Sequence, residues 1–148
     1  MVFTEARFIV PQSLAGLRPV EVLHKQWQPI PIDLPEDLQN LHIVYRHTFT
    51  APANGQARIR ITADDSYRLF CNGRLVGMGP TQGYAFAYRW NAYDLAPFLR
   101  DGENELTAEV YYHGLICRAY ASGDRRIGLI AAVTDGAGRV IDRTDGTW

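Results

Sequence analysis

Apolar and polar residues alternate strictly between Gln56 and Ala63. One face of this segment carries only apolar side chains, namely Ala57, Ile59, Ile61 and Ala63. The opposite face carries Arg58, Arg60 and Thr62. Because successive side chains of a strand point to opposite sides, the pattern predicts a β-strand with one buried face. The same alternation recurs in His42–Thr50 and Asn104–Tyr112, so the fold must contain sheets that bury such faces.

The strongest local signal is the pair Asn72 and Gly73. These residue types adopt the two positive-φ positions of a type I′ turn, which joins antiparallel strands tightly. Tyr67–Cys71 and Arg74–Gly77 flank the pair and are predicted to form the two strands of a hairpin. The residues from Gly77 to Gly83 are predicted to be a loop.

Polar residues with turn preferences separate the alternating segments. Asp64 and Asp65 follow the first segment, and we expect both carboxylates to close a turn by accepting hydrogen bonds from nearby backbone amides. Asp94 is predicted to cap one helical turn that ends at Asp101 and Gly102. Asn104 is expected to bond turn amides before the next strand.

Further strands are predicted from shorter patterns. These segments are Arg7–Val10, Pro19–Leu23, the second half of Tyr84–Tyr93, Arg126–Thr134 and Arg139–Asp142. Many short strands, with turn residues roughly every 8–12 positions, predict an all-β protein built as an antiparallel β-sandwich. We expect one domain over residues 1–148. Residues 1–41 contain five prolines and are predicted to be an irregular segment that wraps an edge of the sandwich.

Composition restricts the functional classes. The chain has 148 residues, of which 47% are apolar and 21% charged, so it can bury a core. A net charge of −1 argues against a nucleic-acid or polybasic membrane-surface protein. No apolar run is long enough to span a membrane. Glu5 and Arg7 interrupt the first apolar residues, so no signal peptide is predicted, and an authentic start predicts a cytoplasmic protein.

The residues that usually carry chemistry form no catalytic motif. The four histidines, His24, His42, His47 and His113, lack metal-binding spacing, and His42 and His47 fall on opposite faces of one predicted strand. Cys71 and Cys117 are either two free thiols or one disulfide. We therefore predict neither a metal nor a cofactor.

Asp64 and Asp65 are the one acidic pair that invites a catalytic hypothesis. A glycosidase needs two carboxyl groups facing one sugar, whereas neighbours at a strand end point apart. Calcium ligation is a second alternative, but no loop supplies the six or more oxygens that it requires. The structural role in a turn is favoured over both.

An aromatic segment, Tyr84–Tyr93, has two interpretations. Its rings either fill the core or face a partner domain, or one or two of them stack on a sugar at the end of the sandwich, where binding loops usually lie. The residues assigned to a candidate carbohydrate site are Tyr84, Trp90, Tyr112, His113 and Arg74.

Two stretches, Ile61–Pro80 and Tyr93–Asn104, together resemble the N-terminal β-sandwich domain of bacterial α-L-rhamnosidases of glycoside hydrolase family 78. The resemblance extends loosely from Arg46 to Trp148. It implies a galactose-binding-like jelly roll and no catalytic residue in this chain, because the family's catalytic carboxylates lie in a separate (α/α)₆ barrel.

The resemblance therefore implies a non-catalytic accessory domain of a glycoside hydrolase. Its expected partner is an (α/α)₆ catalytic domain in the same or another chain, and a contact with a glycan is considered as well. Two alternatives stay open: a free-standing carbohydrate-binding module and a purely structural scaffold between domains. Exposed aromatic rings beside polar groups favour a binder, and a large apolar patch without a cleft favours a scaffold.

Overall fold

The computed structural model describes residues 3–23, 27, 29, 32–51, 55–84, 86–117 and 122–148. These residues form two antiparallel four-stranded sheets packed as a β-sandwich, which confirms the predicted fold class. The strands are β1 (Leu41–Ala51), β2 (Arg58–Asp64), β3 (Ser66–Cys71), β4 (Arg74–Gly79), β5 (Asn91–Asp94), β6 (Gly102–Tyr112), β7 (Gly128–Thr134) and β8 (Val140–Arg143).

The strand orders are β1-β6-β3-β4 in one sheet and β5-β2-β7-β8 in the other. Short 3₁₀ helices cover Gln12–Leu14, Glu36–Leu38 and Ala96–Phe98. No helix among the residues described is both long and apolar enough to cross a membrane.

The core lies between the two sheets and follows the alternation in the sequence. Ile59 and Ile61 of β2, together with Leu106 and Val110 of β6, are at most 1% exposed. Burying a side chain of this size stabilises the fold by about 1.5–3 kcal/mol. All seven residues of β7 are buried, as predicted for a central strand, since β2 and β8 pair with its two edges.

The hairpin forms as predicted. Asn72 and Gly73 have φ values of 51° and 75°, and they link Cys71 of β3 to Arg74 of β4. The predicted boundary of the second strand is wrong, however. β4 continues to Gly79, because Gly77 and Gly79 still pair with Leu69 and Tyr67 of β3.

The buried amide of Asn104 organises the loop before β6. Its Oδ1 accepts hydrogen bonds from the Arg100 amide at 2.7 Å and from Asn72 Nδ2 at 2.9 Å. Its Nδ2 donates to the carbonyls of Arg100 and Gly102 at 3.1 and 2.9 Å. The expected role of Asn104 in this turn is thus present. Nearby, Asp94 Oδ1 accepts the Ala96 amide at 3.0 Å where the third 3₁₀ helix begins.

The N-terminal segment contains no regular strand among its described residues, so the strands predicted at Arg7–Val10 and Pro19–Leu23 are wrong. Ile9 instead makes an isolated bridge with Leu129, with backbone hydrogen bonds of 2.9 and 3.1 Å. The Val20 amide donates to the Asp124 carbonyl at 2.9 Å. Tertiary contacts, and not a local period, therefore hold this segment in place.

The aromatic segment is also less regular than predicted. Its strand begins at Asn91, while Tyr84 forms only an isolated bridge with Ala87. Thr62 of β2 holds the residues just before β5 in place, because its Oγ1 donates to the Arg89 carbonyl at 2.6 Å. The rings before β5 therefore lie in a loop at one end of the sandwich.

Candidate functional site

Three buried carboxylates lie at the end of the sandwich where β2 passes to β3. Asp64, Asp65 and Asp124 are 7%, 6% and 2% exposed. The space beside them has a volume of about 20 Å³, which is room for about one water molecule. This end of the sandwich is a packed polar cluster and contains no open cleft among the three carboxylates.

Asp64 and Asp65 do not close their turn with local amides, and that expectation is wrong. Oδ2 of Asp65 accepts hydrogen bonds from the His113 amide at 2.7 Å and from Ser122 Oγ at 2.6 Å. Oδ2 of Asp64 accepts a hydrogen bond from the Tyr88 hydroxyl at 2.6 Å. The partners lie 24 to 57 residues away in the sequence, so the pair ties distant loops to the end of β2.

The pKa of Asp64 is raised, first by burial and then by a side-chain hydrogen bond with Asp65 and the charge of that neighbour. The remaining oxygen of Asp65, Oδ1, is buried and has no hydrogen-bond partner among the residues described. Burial and the adjacent Asp65 thus favour the protonated form of Asp64.

This geometry does not suit glycosidic bond cleavage. Paired catalytic carboxyl groups lie about 5–10 Å apart with a sugar between them. Both Asp64 and Asp65 are buried, and the Oδ2 atom of each already accepts hydrogen bonds from distant loops. Asp124 is engaged by Arg126, whose Nη1 lies 2.6 Å from its Oδ2. Within the described part of the chain, no group of three or more His, Cys, Asp or Glu side chains is arranged to hold a metal ion.

Two of the predicted sugar-stacking rings are accessible. Tyr84 is 50% exposed and Trp90 is 43% exposed. The ring of Tyr84 stacks on Phe86, with centroids 5.5 Å apart and planes 2° apart, and Phe86 is 88% exposed. Trp90 meets Phe3 edge-on at 6.4 Å.

Tyr112 cannot stack on a ligand, so this part of the predicted site is wrong. Its ring is 1% exposed, and its hydroxyl oxygen accepts the Arg125 amide at 2.9 Å. It lies on the buried face of β6 with Leu106 and Val110. His113 follows directly and stays at this end of the sandwich, because its amide is bonded to Asp65.

Arg74 lies far from the other predicted site residues. It begins β4 beside the Asn72–Gly73 turn, whereas the other end of β4, at Gly79, leads toward Tyr84. Its Nη1 donates to the Pro97 carbonyl at 2.8 Å, and its guanidinium lies 4.9 Å from the centre of the Phe98 ring. Arg74 therefore fastens the hairpin to the third 3₁₀ helix and does not join the aromatic residues.

Cys71 and Cys117 are not joined in a disulfide, so the disulfide alternative is wrong. Burial raises the pKa of the Cys71 thiol, which keeps it in the neutral form.

Sequence reasoning missed Ser122 and Asp124, and it placed Tyr88 only among rings of unspecified role. A buried Asp pair requires donors, but no periodic pattern marks which distant hydroxyls supply them.

Solved structures provide the comparison for this sandwich. A scan of protein-family models and a search of curated proteins give no match. A family 78 rhamnosidase of Bacillus sp. GL1 matches 72% of this chain at 36% identity and a TM-score of 0.66, over 11% of that enzyme. An α-L-rhamnosidase of Aspergillus terreus matches 73% at 24% identity and a TM-score of 0.56, over 14% of its length.

The fold is thus that of a sandwich segment found within larger enzymes. The resemblance to family 78 rhamnosidases is confirmed, and this chain spans about one-tenth of the Bacillus enzyme. A lectin of Pleurotus ostreatus also matches, over 72% of this chain and 28% of the lectin, at 25% identity and a TM-score of 0.50.

Proposed function

We propose that this chain is a non-catalytic accessory domain of a glycoside hydrolase and packs against an (α/α)₆ catalytic domain in the same or a partner chain. The carrying observation is the 36% identity to a segment that makes up 11% of a family 78 rhamnosidase. A segment of that size leaves most of the enzyme to other domains, and the buried carboxyl groups of Asp64 and Asp65, each bonded to a distant loop, offer no catalytic pair.

The contact surface in this proposal is the aromatic loop before β5. The stacked rings of Tyr84 and Phe86 project from the sandwich and are 50% and 88% exposed. Met78, at the end of β4, is 64% exposed. Exposed apolar side chains of this size cost free energy in water, and burial against another domain recovers it.

This proposal is tested by the size of the polypeptide in the cells that make it and by the proteins that associate with it there. An antibody raised against the purified chain should detect either a band far larger than the 16.7 kDa of this sequence or a tightly associated hydrolase subunit. The immunoprecipitate should cleave an aryl α-L-rhamnoside. A single small band that brings down no hydrolase would contradict the proposal.

A glycan contact is the finer part of the proposal. Trp90 and His113 lie at the same end of the sandwich as the Tyr84–Phe86 contact surface, and the exposed ring of Trp90 can stack on the C–H groups of a sugar. Arg89, the neighbour of Trp90, lines the small cavity together with Asp65, whose Oδ2 accepts the His113 amide. A single exposed ring supports modest affinity, with a dissociation constant of about 0.1–1 mM.

Tryptophan fluorescence tests the glycan contact separately. Rhamnose, galactose and glucuronate are titrated into the wild type, Trp90→Phe and the matched control Trp27→Phe, since Trp27 is also exposed. We expect at least one sugar to give a saturable change in the wild type and control that is lost in Trp90→Phe. No response to any sugar up to roughly one hundred times the expected constant would remove the glycan contact and favour a scaffold.

The second candidate is a free-standing carbohydrate-binding module, favoured by the match to the Pleurotus lectin. That candidate predicts sugar binding by the purified chain without any hydrolase partner. The immunoprecipitation and the fluorescence titration therefore separate the two functions.

A further inference from the structure

A second concave surface lies beneath the N-terminal segment and is distinct from the aromatic loop. Residues 7–20 are held on the sandwich by backbone hydrogen bonds at three points, which join Arg7 to Thr144, Ile9 to Leu129 and Val20 to Asp124. Between Ile9 and Val20 the segment, called the arch below, passes through the first 3₁₀ helix, of which no residue is buried. Gly128 permits the close approach, because a Cβ there would lie 2.8 Å from the Ile9 carbonyl oxygen.

The arch leaves a cleft of about 280 Å³ against the start of β7. The apolar side chains that line it are Phe8, Val10, Leu14, Leu17, Pro19 and Ile127. This volume is at the small end of ligand pockets and suits one or two fused rings. The walls are apolar, so a polar sugar finds few partners in the cleft.

The polar groups at the cleft are few and already partly satisfied. Tyr88 donates its hydroxyl proton to Asp64, which leaves the Tyr88 oxygen able to accept a hydrogen bond. Donation to a carboxyl group polarises that oxygen and strengthens it as an acceptor. A ligand hydroxyl aimed at Tyr88 would therefore have a suitable partner.

Aromatic and cationic groups also line the cleft. The rings of Phe8 and Tyr88 lie 5.6 Å apart with planes tilted by 53°. Arg125 and Arg126 stand beside them, and each is balanced by a carboxylate, Asp33 for Arg125 and Asp124 for Arg126. Guanidinium groups stack well on the face of an aromatic ring, so they favour an aromatic ligand. Because each guanidinium here is already paired with a carboxylate, the cleft has no strong preference for an anionic ligand.

We propose that the cleft beneath residues 7–20 binds a small neutral hydroxylated aromatic compound, with its ring between the arch and Tyr88 and its hydroxyl donating to the Tyr88 oxygen. This site is independent of the glycan contact and of the domain contact. The proposal assigns a ligand-binding role to the N-terminal segment, which no periodic pattern in the sequence predicted.

The probe for this proposal is 2-naphthol, with its methyl ether as the analogue that lacks the donor. The ligands are titrated into isotope-labelled protein and followed by amide chemical shifts. We expect saturable one-to-one binding of 2-naphthol, with the shifted amides confined to residues 7–20, 88 and 124–129. No saturable binding, or shifts centred on Tyr84 and Phe86, would overturn the site.

Leu17→Trp and Tyr88→Phe, with Leu75→Trp as the control, test the geometry. Leu17→Trp places a large ring in the cleft from the arch and should abolish binding, whereas Leu75→Trp, at an exposed position on β4, should leave it intact. Equal binding by both variants would overturn the proposal.

Tyr88→Phe removes the oxygen and should weaken the affinity for 2-naphthol at least about fivefold, because one hydrogen bond is lost. The methyl ether should bind equally to Tyr88→Phe and the wild type, and an unchanged 2-naphthol affinity would overturn the assigned ligand class.

Discussion

The phenol oxygen of Tyr88 lies 2.6 Å from Oδ2 of Asp64, and this bond joins the loop before β5 to the last residue of β2. Burial and the neighbouring Asp64 raise the pKa of Tyr88, so the phenol keeps its proton. The Tyr88 hydroxyl therefore remains a hydrogen-bond donor over the whole pH range in which Asp64 changes charge.

Asp64→Asn should remove a loss of stability that accumulates as the pH rises from the ordinary Asp pKa of 3.8 to about 9. The pKa of Asp64 is raised to about 9 in the folded protein, so the folded state binds its proton more tightly than the unfolded chain does. Its contribution is present below the ordinary Asp range and is lost as the pH rises through about 9. Asparagine mimics the protonated acid, since it can donate to Asp65 and accept from Tyr88.

Thermal midpoints measured between pH 5 and 9.5 check this prediction. The midpoint of the wild type should fall relative to Asp64→Asn by a few degrees or more as the pH rises. The control Asp101→Asn, at an exposed position, should run parallel to the wild type. Parallel curves for Asp64→Asn and the wild type would contradict the raised pKa of Asp64.

Gly73→Val should destabilise the hairpin. Gly73 has a φ of 75°, which a β-branched residue adopts poorly, and the cost is about 1–2 kcal/mol. The cost is conformational, because no atom lies within 4 Å of a Cβ built there. Gly16→Val is the matched control, since Gly16 has equal space without a positive φ. Equal denaturant midpoints for the two variants would argue against strain in the turn.

Asn104→Ala should be among the most damaging single changes in the loop before β6. It removes both the acceptor for the Arg100 amide and Asn72 and the donor for two backbone carbonyls. Leaving these groups unpaired in a buried place should cost about 2–4 kcal/mol. Urea unfolding should show the loss, while Gln12→Ala at an exposed amide should change little. A loss below about 0.5 kcal/mol would mean that water replaces the amide.

The purified chain should not hydrolyse aryl α-L-rhamnosides. Asp64 and Asp65 are both buried, and their Oδ2 atoms are already bonded to Tyr88, His113 and Ser122, so the two carboxyl groups do not flank a sugar. Release of the chromogenic phenol should match that of a no-enzyme control. Turnover that disappears on changing an acidic residue of this chain would contradict a non-catalytic role.

The elements that followed from the sequence are those whose burial is periodic. β6 buries alternate residues from Asn104 to Tyr112, whereas β2 does so only as far as Ile61, since Thr62, Ala63 and Asp64 are then buried in succession. The Asn72–Gly73 turn is dictated by backbone conformation alone. The same reasoning could have excluded Tyr112 from the candidate site. It shares the apolar face of β6 with Leu106 and Val110, and that face is the buried one.

The rest depended on contacts that no local pattern records. Ile9 pairs with Leu129 across the fold, so its segment shows no strand periodicity of its own. The donors of Asp65 are the His113 amide and the Ser122 hydroxyl, which the topology brings together from outside the turn. An acidic pair that becomes buried in a turn requires hydrogen-bond donors. The sequence alone does not show which groups these are, because the fold brings them from distant parts of the chain.

The pairing of Arg7 with Thr144 has a consequence for how such a module can be rearranged. The Arg7 amide donates to the Thr144 carbonyl at 2.9 Å, and Thr144 Oγ1 donates to the Arg7 carbonyl at 2.7 Å. The first and last parts of the sandwich are therefore side by side. Joining them with a short linker and opening the chain at the exposed Gly138 turn would give a circular permutant whose two sheets keep their strand order.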